Sequence, residues 1–486
     1  MRLIDSTASA ADNGVPPSIR LEDLLAATGG HLLGPTSVTS FAGAVVDSRR
    51  VVPGCCFVAL RGERVDGHRF AAEAAALGAS VLLVERPIAL PAGADAAIVQ
   101  VPDVLAALQA AARWWRSRSA VRVVGVTGST GKTIAKEIVA DVLARTLRVI
   151  RNEGNLNSET GLPMTLLRLQ PEHEVAVLEM SMYTEGDIAL LADIAQPEVG
   201  VVLAVHPTHL ERAGSIEAIA RAKAELPAAL PSSGLAVLNA DDPRVVAMRA
   251  VTPAAVRTFG LSAGADVRAA DIESRGLGGT RFTLQTPWGT RRVHSAMPGR
   301  HLVLHALAAA AVGEHFGVPL DEVEAALTVG SRAAHRMALV EGAGGAMIID
   351  NTYNASPVSV SAALDFLGET PIAAGRRRLA VLGDMLELGS GEERQHRQIG
   401  GRAAAVVDGL VTVGERGRWI ADGARLAGLA HVAVAADVEE ALALVERELA
   451  PGVGDLLLIK GSRGVALDRL VAALSRESGP RPTGDH

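Results

Sequence analysis

Lysine, cysteine and tyrosine are scarce in this chain of 486 residues. Of its 47 basic residues 43 are arginines, and the four lysines are Lys132, Lys136, Lys223 and Lys460. Arginine can replace lysine where a positive charge is sufficient, but it cannot supply a compact ammonium or an amine that loses its proton. The remaining lysines are therefore the first candidates for chemistry.

Other absences exclude whole classes of protein. The two cysteines, Cys55 and Cys56, are adjacent and provide no disulfide framework, which favours buried thiols in a reducing compartment. No apolar run reaches the roughly 18 residues that a membrane-spanning helix needs, and the first residues lack a signal-peptide pattern. The net charge of −7 argues against a nucleic-acid partner. We expect a cytoplasmic monomer that binds no nucleic acid and has no membrane span.

Apolar material is abundant, since 49% of the residues are hydrophobic. Patterns of buried strands alternate with helical patterns, which predicts α/β domains with parallel sheets. A hairpin is predicted around Pro-Trp-Gly-Thr at 287–290, followed by an Ala-rich helix from His301. We divide the chain into a flexible lead-in (1–18), an α/β domain (19–118), a central parallel-sheet domain (119–332), a Rossmann-like C-terminal domain (333–476) and a disordered tail (477–486).

The most specific motif is Gly-Val-Thr-Gly-Ser-Thr-Gly-Lys-Thr at 125–133, between a buried strand and a helix. Its glycines let backbone N–H groups approach phosphate oxygens at a helix N-terminus. Lys132 supplies a cation for the β- and γ-phosphates and Thr133 a hydroxyl for Mg²⁺, although Val126 replaces the first glycine of the strict P-loop pattern. The motif leaves kinase, GTPase, ATPase and ligase open. The predicted ATP-binding residues are Thr127, Gly128, Ser129, Thr130, Gly131, Lys132 and Thr133.

Four residues outside the loop have two interpretations each. Glu179 ends a predicted strand, where a carboxylate binds Mg²⁺ or caps a loop. A lone histidine such as His209 is more often structural than functional. Lys223 lies beside an apolar helix stripe, either as an ordinary snorkelling lysine or as a buried amine that reacts with CO₂ to give a carbamate for a second Mg²⁺. Lys136, one turn after Lys132, is interpreted mainly as part of a solvated helix face, with a phosphate or substrate contact as the alternative.

From about residue 20 to 475 the motifs resemble those of the Mur ligases, the ATP-dependent amide-forming enzymes of peptidoglycan precursor synthesis. The similar segments are DSRRVVPGCCFVALRGERVDGHRF, GVTGSTGKT, NEGNLNSETGLPMTLL, EMSMYTEGDI, HLERAGSIEAIARAKAEL, GLAVLNADD, IIDNTYNASPVSVSAAL, VLGDMLELG and LLIKGSRG.

The resemblance implies a three-domain α/β fold, with a P-loop ATPase domain between a UDP-sugar-binding domain and a C-terminal ligase domain. It implies an ADP-forming carboxylate–amine ligase that joins D-alanyl-D-alanine to UDP-N-acetylmuramoyl-tripeptide through an acyl phosphate. It also implies catalysis by Lys132, Glu179, His209 and Lys223, with two Mg²⁺ ions held by Thr133, Glu179, His209 and a carbamylated Lys223. The other implied contacts are with substrate (Asp47, Ser48, Arg49, Asn155, Asn157, Lys460 and Arg463) and with ATP (Arg336, Asp350, Tyr353 and Asn354).

Several positions depart from the family pattern, namely Ser158, Ala204, His206, Leu302 and Leu304. One alternative is a related ligase with another acceptor, such as meso-diaminopimelate, glutamate or a folate, against which Lys-Gly-Ser-Arg at 460–463 argues. Another is a nucleotide-binding homologue that has lost ligase chemistry. A plain P-loop kinase or GTPase leaves the first and last domains unexplained.

Overall fold

The computed structural model describes residues 18–62, 65–208, 210–329 and 336–475. Their strands form one small pair and three larger sheets, and each larger sheet takes its strands from a separate part of the chain. Residues 1–17 of the predicted lead-in and the whole predicted tail lie outside the described residues. Among the described helices, none has the length and apolar character to span a bilayer.

The first part of the chain forms a five-stranded sheet between helices. Its elements are β1 (Ser18–Arg20), α1 (Leu21–Thr28), β2 (His31–Leu32), β3 (Ser40–Ala42), β4 (Ala44–Val45), β5 (Cys56–Val58), α2 (Ala71–Ala76), β6 (Val81–Val84), β7 (Ala97–Gln100) and α3 (Val104–Ser117). The strand order is β2-β7-β6-β5-β4, with only β2 antiparallel to its neighbour. The helix α1 ends at Gly29, which adopts the left-handed conformation that favours glycine. β1 and β3 pair separately.

The central part forms a nine-stranded sheet. Its elements are β8 (Arg122–Thr127), α4 (Lys132–Leu143), β9 (Val149–Arg151), α5 (Gly161–Leu166), β10 (Val175–Glu179), α6 (Asp187–Ala195), β11 (Val199–Val202), α7 (Leu210–Ala213), α8 (Ile216–Ala228), β12 (Leu235–Asn239), α9 (Pro243–Ala247), β13 (Ala255–Gly260), β14 (Val267–Ser274), β15 (Thr280–Thr286), β16 (Gly289–Ser295), α10 (Val303–His315) and α11 (Leu320–Val329). The strand order is β16-β15-β14-β13-β12-β11-β8-β10-β9. Strands β8 to β14 pair in parallel, while β15 and β16 form the predicted antiparallel hairpin.

Two apolar layers cover the central sheet. On one face α4 and the alanine-rich α10 pack against the strands, and α10 is buried at Val303 and from Ala306 to Gly313. The core on the other face also takes in side chains of α1 and α3, so the first two sheets share a continuous apolar core. Because both faces are covered, the parallel strands are apolar throughout rather than alternating.

The last part forms a six-stranded sheet with helices on both faces. Its elements are β17 (Ala338–Glu341), β18 (Met347–Asp350), α12 (Pro357–Glu369), β19 (Arg378–Gly383), α13 (Glu392–Ala404), β20 (Gly409–Val413), α14 (Gly417–Leu426), β21 (Val432–Ala435), α15 (Val438–Leu444), β22 (Leu456–Lys460) and α16 (Asp468–Leu474). The strand order is β17-β18-β22-β19-β20-β21, and only the edge strand β17 is antiparallel.

The predicted α/β class is confirmed, with a parallel sheet in the centre and a Rossmann-like sheet at the C-terminal end. The domain boundaries at 118/119 and 332/333 stay a prediction, and the second one falls among residues 330–335, outside the described residues.

Candidate active site

The P-loop joins β8 to α4 at the carboxyl edge of the central sheet. Gly131 caps α4 with φ +78°, a conformation that L side chains rarely adopt. The Lys132 Nζ donates to the Gly128 carbonyl at 2.9 Å. The Ser129 amide donates to the Ala204 carbonyl, just after β11, at 2.8 Å. The P-loop is therefore anchored to the segment that follows β11, and the Lys132 side chain lies over the loop.

Glu179 lies beside this loop because β10 pairs in parallel with β8, with Glu179 opposite Val126. The Thr133 hydroxyl donates to Glu179 Oε2 at 2.5 Å, and the Asn157 amide donates to Oε1 at 2.7 Å. The carboxylate is buried, with 2% of the residue exposed. A hydroxyl and a carboxylate at this separation provide the oxygen ligands that Mg²⁺ prefers.

Lys223 projects from α8 into the same site and is 3% exposed. Burial, together with the positive charge of Lys132, holds the pKa of Lys223 well below its usual 10.5. Burial also lowers the pKa of Lys132, although the Glu179 charge opposes that shift. The snorkelling interpretation of Lys223 is therefore wrong, because the amine is removed from water rather than extended into it.

No group of three histidine, cysteine, aspartate or glutamate side chains suited to a metal ion occurs among the described residues. His209, predicted as a Mg²⁺ ligand, lies outside them. Its predicted role stays a prediction.

Arg336, in the C-terminal part of the chain, contacts the P-loop directly. Its Nη2 donates to the Thr133 hydroxyl at 2.7 Å, and its guanidinium carbon lies 3.9 Å from the centre of the Tyr353 ring. The guanidinium of Arg463 lies over the same ring at 5.6 Å. Cations over an aromatic face are attracted to it, so Tyr353 fixes two positive charges near the phosphate-binding loop.

Lys460 ends β22 and is 2% exposed. Its Nζ donates to the Asn354 carbonyl at 2.7 Å. Burial, and then the positive charge of Arg336, lowers the pKa of Lys460 to about 7, against the opposing charge of Asp350. Lys460 is thus a third amine at the site, after Lys132 and Lys223, and its pKa lies near neutral pH.

These groups line one cavity of about 1090 Å³ between the central and C-terminal sheets. The predicted site residues that line it are Gly128, Ser129, Thr130, Gly131, Lys132, Thr133, Asn155, Asn157, Glu179, Lys223, Arg336, Tyr353, Asn354, Lys460 and Arg463. The five positions that depart from the family pattern line it as well, namely Ser158, Ala204, His206, Leu302 and Leu304.

Two predicted ATP-binding residues are not part of the cavity lining. The Thr127 hydroxyl donates to the Met180 carbonyl at 2.9 Å. The Asp350 carboxylate accepts from the Thr352 hydroxyl at 2.7 Å. Each side chain thus forms a hydrogen bond that stabilises the main chain next to residues that do line the cavity, such as Gly128 and Tyr353.

Asp47, Ser48 and Arg49 also lie away from this cavity. Asp47 caps the 3₁₀ turn Ser48–Arg50, and its carboxylate pairs with the Arg49 guanidinium at 2.7 Å. Hydrogen bonds from Arg49 lower the pKa of Asp47 to about 2. The pair presents a carboxylate and a guanidinium on the surface of the first domain, and its predicted contact with substrate stays a prediction.

Two residues at the site differ from what the sequence predicts. The solvated position expected for Lys136 is wrong, because the residue is 0% exposed. His305 was not predicted at all, yet its ring lies so close to Gly131 that a Cβ added there would be 2.1 Å from Nε2. Burial lowers the pKa of His305 to about 3, and its Nδ1 has no hydrogen-bond partner among the described residues. The four-residue spacing of His305 from His301, which lies in the 3₁₀ turn just before α10, was the available signal.

Comparison with known proteins covers nearly the whole chain. The family descriptions that match are "Mur ligase family, catalytic domain" over residues 41–116, "Mur ligase middle domain" over 126–313 and "Mur ligase, glutamate ligase domain" over 335–463. The UDP-N-acetylmuramoyl-tripeptide–D-alanyl-D-alanine ligase of Escherichia coli (strain K12) is 36% identical over 464 residues, 94% of this chain and 98% of that protein.

Solved structures give the same result. MurF from Acinetobacter baumannii superposes with a TM-score of 0.83 at 31% identity, covering 95% of this chain and 99% of that one. MurF ligase from Thermotoga maritima in complex with ADP superposes with a TM-score of 0.76 at 30% identity, covering 88% and 96%.

Proposed function

The chain belongs to the Mur ligase family, and we propose that it joins D-alanyl-D-alanine to UDP-N-acetylmuramoyl-tripeptide at the expense of ATP, in peptidoglycan synthesis. One observation carries this proposal. A single cavity brings the P-loop and Glu179 of the central domain to Arg336, Tyr353 and Lys460 of the C-terminal domain, so phosphate activation and amide formation share one space.

The first half-reaction activates the tripeptide carboxylate. That carboxylate attacks the γ-phosphate of ATP, which the backbone amides of the loop and Lys132 hold, and an acyl phosphate forms with loss of ADP. Phosphoryl transfer needs mainly positioning and charge stabilisation, and the cations Lys132 and Arg336 supply both. Thr133, Glu179 and His209 are the residues that would hold Mg²⁺, which when bound neutralises charge on the transferring group.

The second half-reaction forms the amide. The amino group of D-alanyl-D-alanine attacks the acyl carbon, the tetrahedral intermediate loses phosphate, and the amide remains. Lys460 and Arg463, with Asn155 and Asn157 across the cavity, are proposed to orient the substrates. Water would hydrolyse the acyl phosphate, so the reaction benefits from the enclosure that the two domains provide.

Lys223 is proposed to carry a carbamate. A neutral amine is the form that adds to CO₂, and burial favours that form here. The carbamate oxygens would bind a second Mg²⁺, so that a buried amine would become an anionic ligand.

The first domain is proposed to hold the UDP part of the substrate through Asp47, Ser48 and Arg49, with domain limits at 19–118, 119–332 and 333–476. Asn354 is proposed to contact the nucleotide together with Tyr353, and Asp350 is proposed to support that contact by holding the backbone at Thr352. We further propose a cytoplasmic monomer, and the free, buried thiols of Cys55 and Cys56 are consistent with that compartment.

Phosphate release from ATP, measured with UDP-N-acetylmuramoyl-tripeptide in the presence and absence of D-alanyl-D-alanine, tests the proposal. We expect release only when both substrates are present. Release that is indifferent to the dipeptide, or that requires a single amino acid instead, overturns the proposed acceptor. ATP binding without release under any of these conditions would identify a homologue that lacks ligase activity.

A further inference from the structure

We infer that Lys136 and Asn152 form a positioning relay that holds Glu179 in place beside the P-loop, so that a lysine outside the cavity controls how the site binds a magnesium nucleotide. The inference rests on the proposed function, since it assigns Glu179 to the metal. Lys136 and Asn152 are positioning residues, because neither lines the cavity.

Lys136 is anchored inside the protein. It lies on α4, one turn after Lys132, and is 0% exposed. Its Nζ donates a hydrogen bond to the carbonyl of Asn152 and forms an ion pair with Glu137 Oε1 at 2.8 Å. A buried ammonium is costly unless it is paired and hydrogen-bonded, so both contacts are needed to keep it there.

Asn152 links Lys136 to Glu179 through hydrogen bonds. The pairing of β9 with β10 ends at Arg151 opposite Val177, and beyond that point the Asn152 side chain takes the place of the missing strand. Its Oδ1 accepts from the Glu179 amide at 2.9 Å, and its Nδ2 donates to the Glu179 carbonyl at 3.1 Å. Both backbone polar groups of Glu179 are therefore fixed by one buried amide.

The side-chain amide of Asn152 also stabilises the loop that carries Asn157 to the Glu179 carboxylate. The Asn152 Nδ2 donates to the Leu156 carbonyl at 2.7 Å, and the next residue, Asn157, donates to Glu179 Oε1 at 2.7 Å. Lys136 thus fixes the backbone of Asn152, which fixes both the main chain of Glu179 and the loop that holds its side chain.

The positive charge of Lys136 belongs to a small network of ion pairs. Glu137 uses its second oxygen to pair with Arg151 at 2.9 Å, and Arg151 pairs with Asp141 at 2.8 Å. An arginine at position 136 would bring a larger planar group into a fully buried space. The position therefore retains one of the chain's four lysines because a compact ammonium is what reaches the Asn152 carbonyl.

Lys136→Met removes the donor and keeps the apolar stem, and Asn152→Ala removes the link to Glu179. The readout is the affinity for ADP by titration calorimetry with Mg²⁺ and with EDTA, because the ratio of the two dissociation constants measures how well the site holds the metal. We expect each variant to reduce that ratio at least tenfold. A loss of folded protein changes the apparent stoichiometry and leaves the ratio unaltered.

Arg151→Gln is the matched control, because it disturbs the same charged cluster and leaves the bond between Lys136 and Asn152 intact. We expect its ratio to stay within threefold of wild type. The double variant Lys136→Met/Asn152→Ala should be no worse than Asn152→Ala alone, because coupled residues act through one route.

A wild-type ratio in Asn152→Ala overturns the inference, even if Lys136→Met does not fold. An equal loss in Arg151→Gln overturns it as well, since the charged cluster alone would then be responsible. Failure of the proposed function looks different. In that case wild-type protein binds ADP with the full magnesium effect and releases no phosphate with the two substrates.

Discussion

The Arg336 guanidinium donates a hydrogen bond to the Thr133 hydroxyl at 2.7 Å, and that hydroxyl donates in turn to Glu179 at 2.5 Å. Arg336 is the first described residue after 330–335, whereas Thr133 is in the P-loop helix of the central domain. A residue at the start of the C-terminal domain therefore contacts the proposed metal and phosphate site directly. The position of that domain is thus coupled to the chemistry of the loop.

Replacing Arg336 by lysine should reduce kcat about a hundredfold. Lysine retains the charge but lacks the planar group that both donates to Thr133 and stacks on Tyr353. Steady-state phosphate release at saturating ATP and substrates measures the effect. Tyr353→Phe is the control, since it keeps the ring, and it should lose less than tenfold. Equal losses in the two variants would show that the guanidinium geometry is not decisive.

Lys223→Ala should lose nearly all activity and regain part of it when acetate or propionate is added. A short carboxylate can occupy the space of the missing carbamate and supply similar oxygen ligands. Activity as a function of carboxylate concentration is the measurement, with Lys132→Ala as a control that carboxylates should not rescue. An absence of any rescue of Lys223→Ala counts against the carbamate.

Lys460 should make the protein more stable as the pH rises from 7 to 9. Its pKa is about 7 in the folded chain and near 10.4 in an unfolded one, so the unfolded state binds more protons in this range. Stability therefore increases with pH, by about 2 kcal/mol over these two units for one buried lysine.

Urea titrations of wild type and Lys460→Met at pH 7 and 9 isolate this contribution, because all other groups are shared. The wild type should gain about 2 kcal/mol more than the variant between the two pH values. An identical pH dependence would mean that Lys460 retains an ordinary pKa in the folded protein.

Gly131→Ala should weaken ATP binding and lower stability by about 1–3 kcal/mol, the range for a strained backbone residue. The new Cβ would collide with the His305 ring, and φ is +78°. Gly186→Ala is a matched control, because Gly186 also caps a helix at positive φ (+97°) but has open space around it.

Thermal melting and the KM for ATP check this prediction. Gly186→Ala should show the smaller stability loss and an unchanged KM. Adding His305→Ala to Gly131→Ala should restore part of the stability, because the colliding ring is removed. If the double variant gains nothing, backbone strain alone explains the loss.

The fold was largely predictable because its signals are local. Apolar strands separated by helices predict parallel sheets, and the hairpin of β15 and β16 follows from alternation on either side of Pro287 and Trp288. The shared core of the first two sheets was not predictable, since it depends on how α3 packs against α5 and α6. No periodicity within one segment contains that information.

The site was predictable where a residue type is rare and poorly replaceable. Lys132 and Lys460 line the cavity, as the scarcity of lysine suggested. The prediction of a solvated Lys136 was wrong because the position of a residue on its helix does not reveal its distant partners. Here the partner is the buried carbonyl of Asn152, which accepts a hydrogen bond from the lysine ammonium. His305 was missed for a similar reason, since its neighbour Gly131 is 174 positions away in the chain.

The scarcity of lysine also has a practical consequence for covalent labelling. Three of the four side-chain amines, those of Lys136, Lys223 and Lys460, are buried, whereas Lys132 is half-buried and opens into the cavity. An amine-directed reagent small enough to enter the cavity would thus react first at Lys132 of the phosphate loop, because that amine is the most exposed of the four. Protection of that one peptide in a mass-spectrometric footprint would report nucleotide occupancy without any engineered probe.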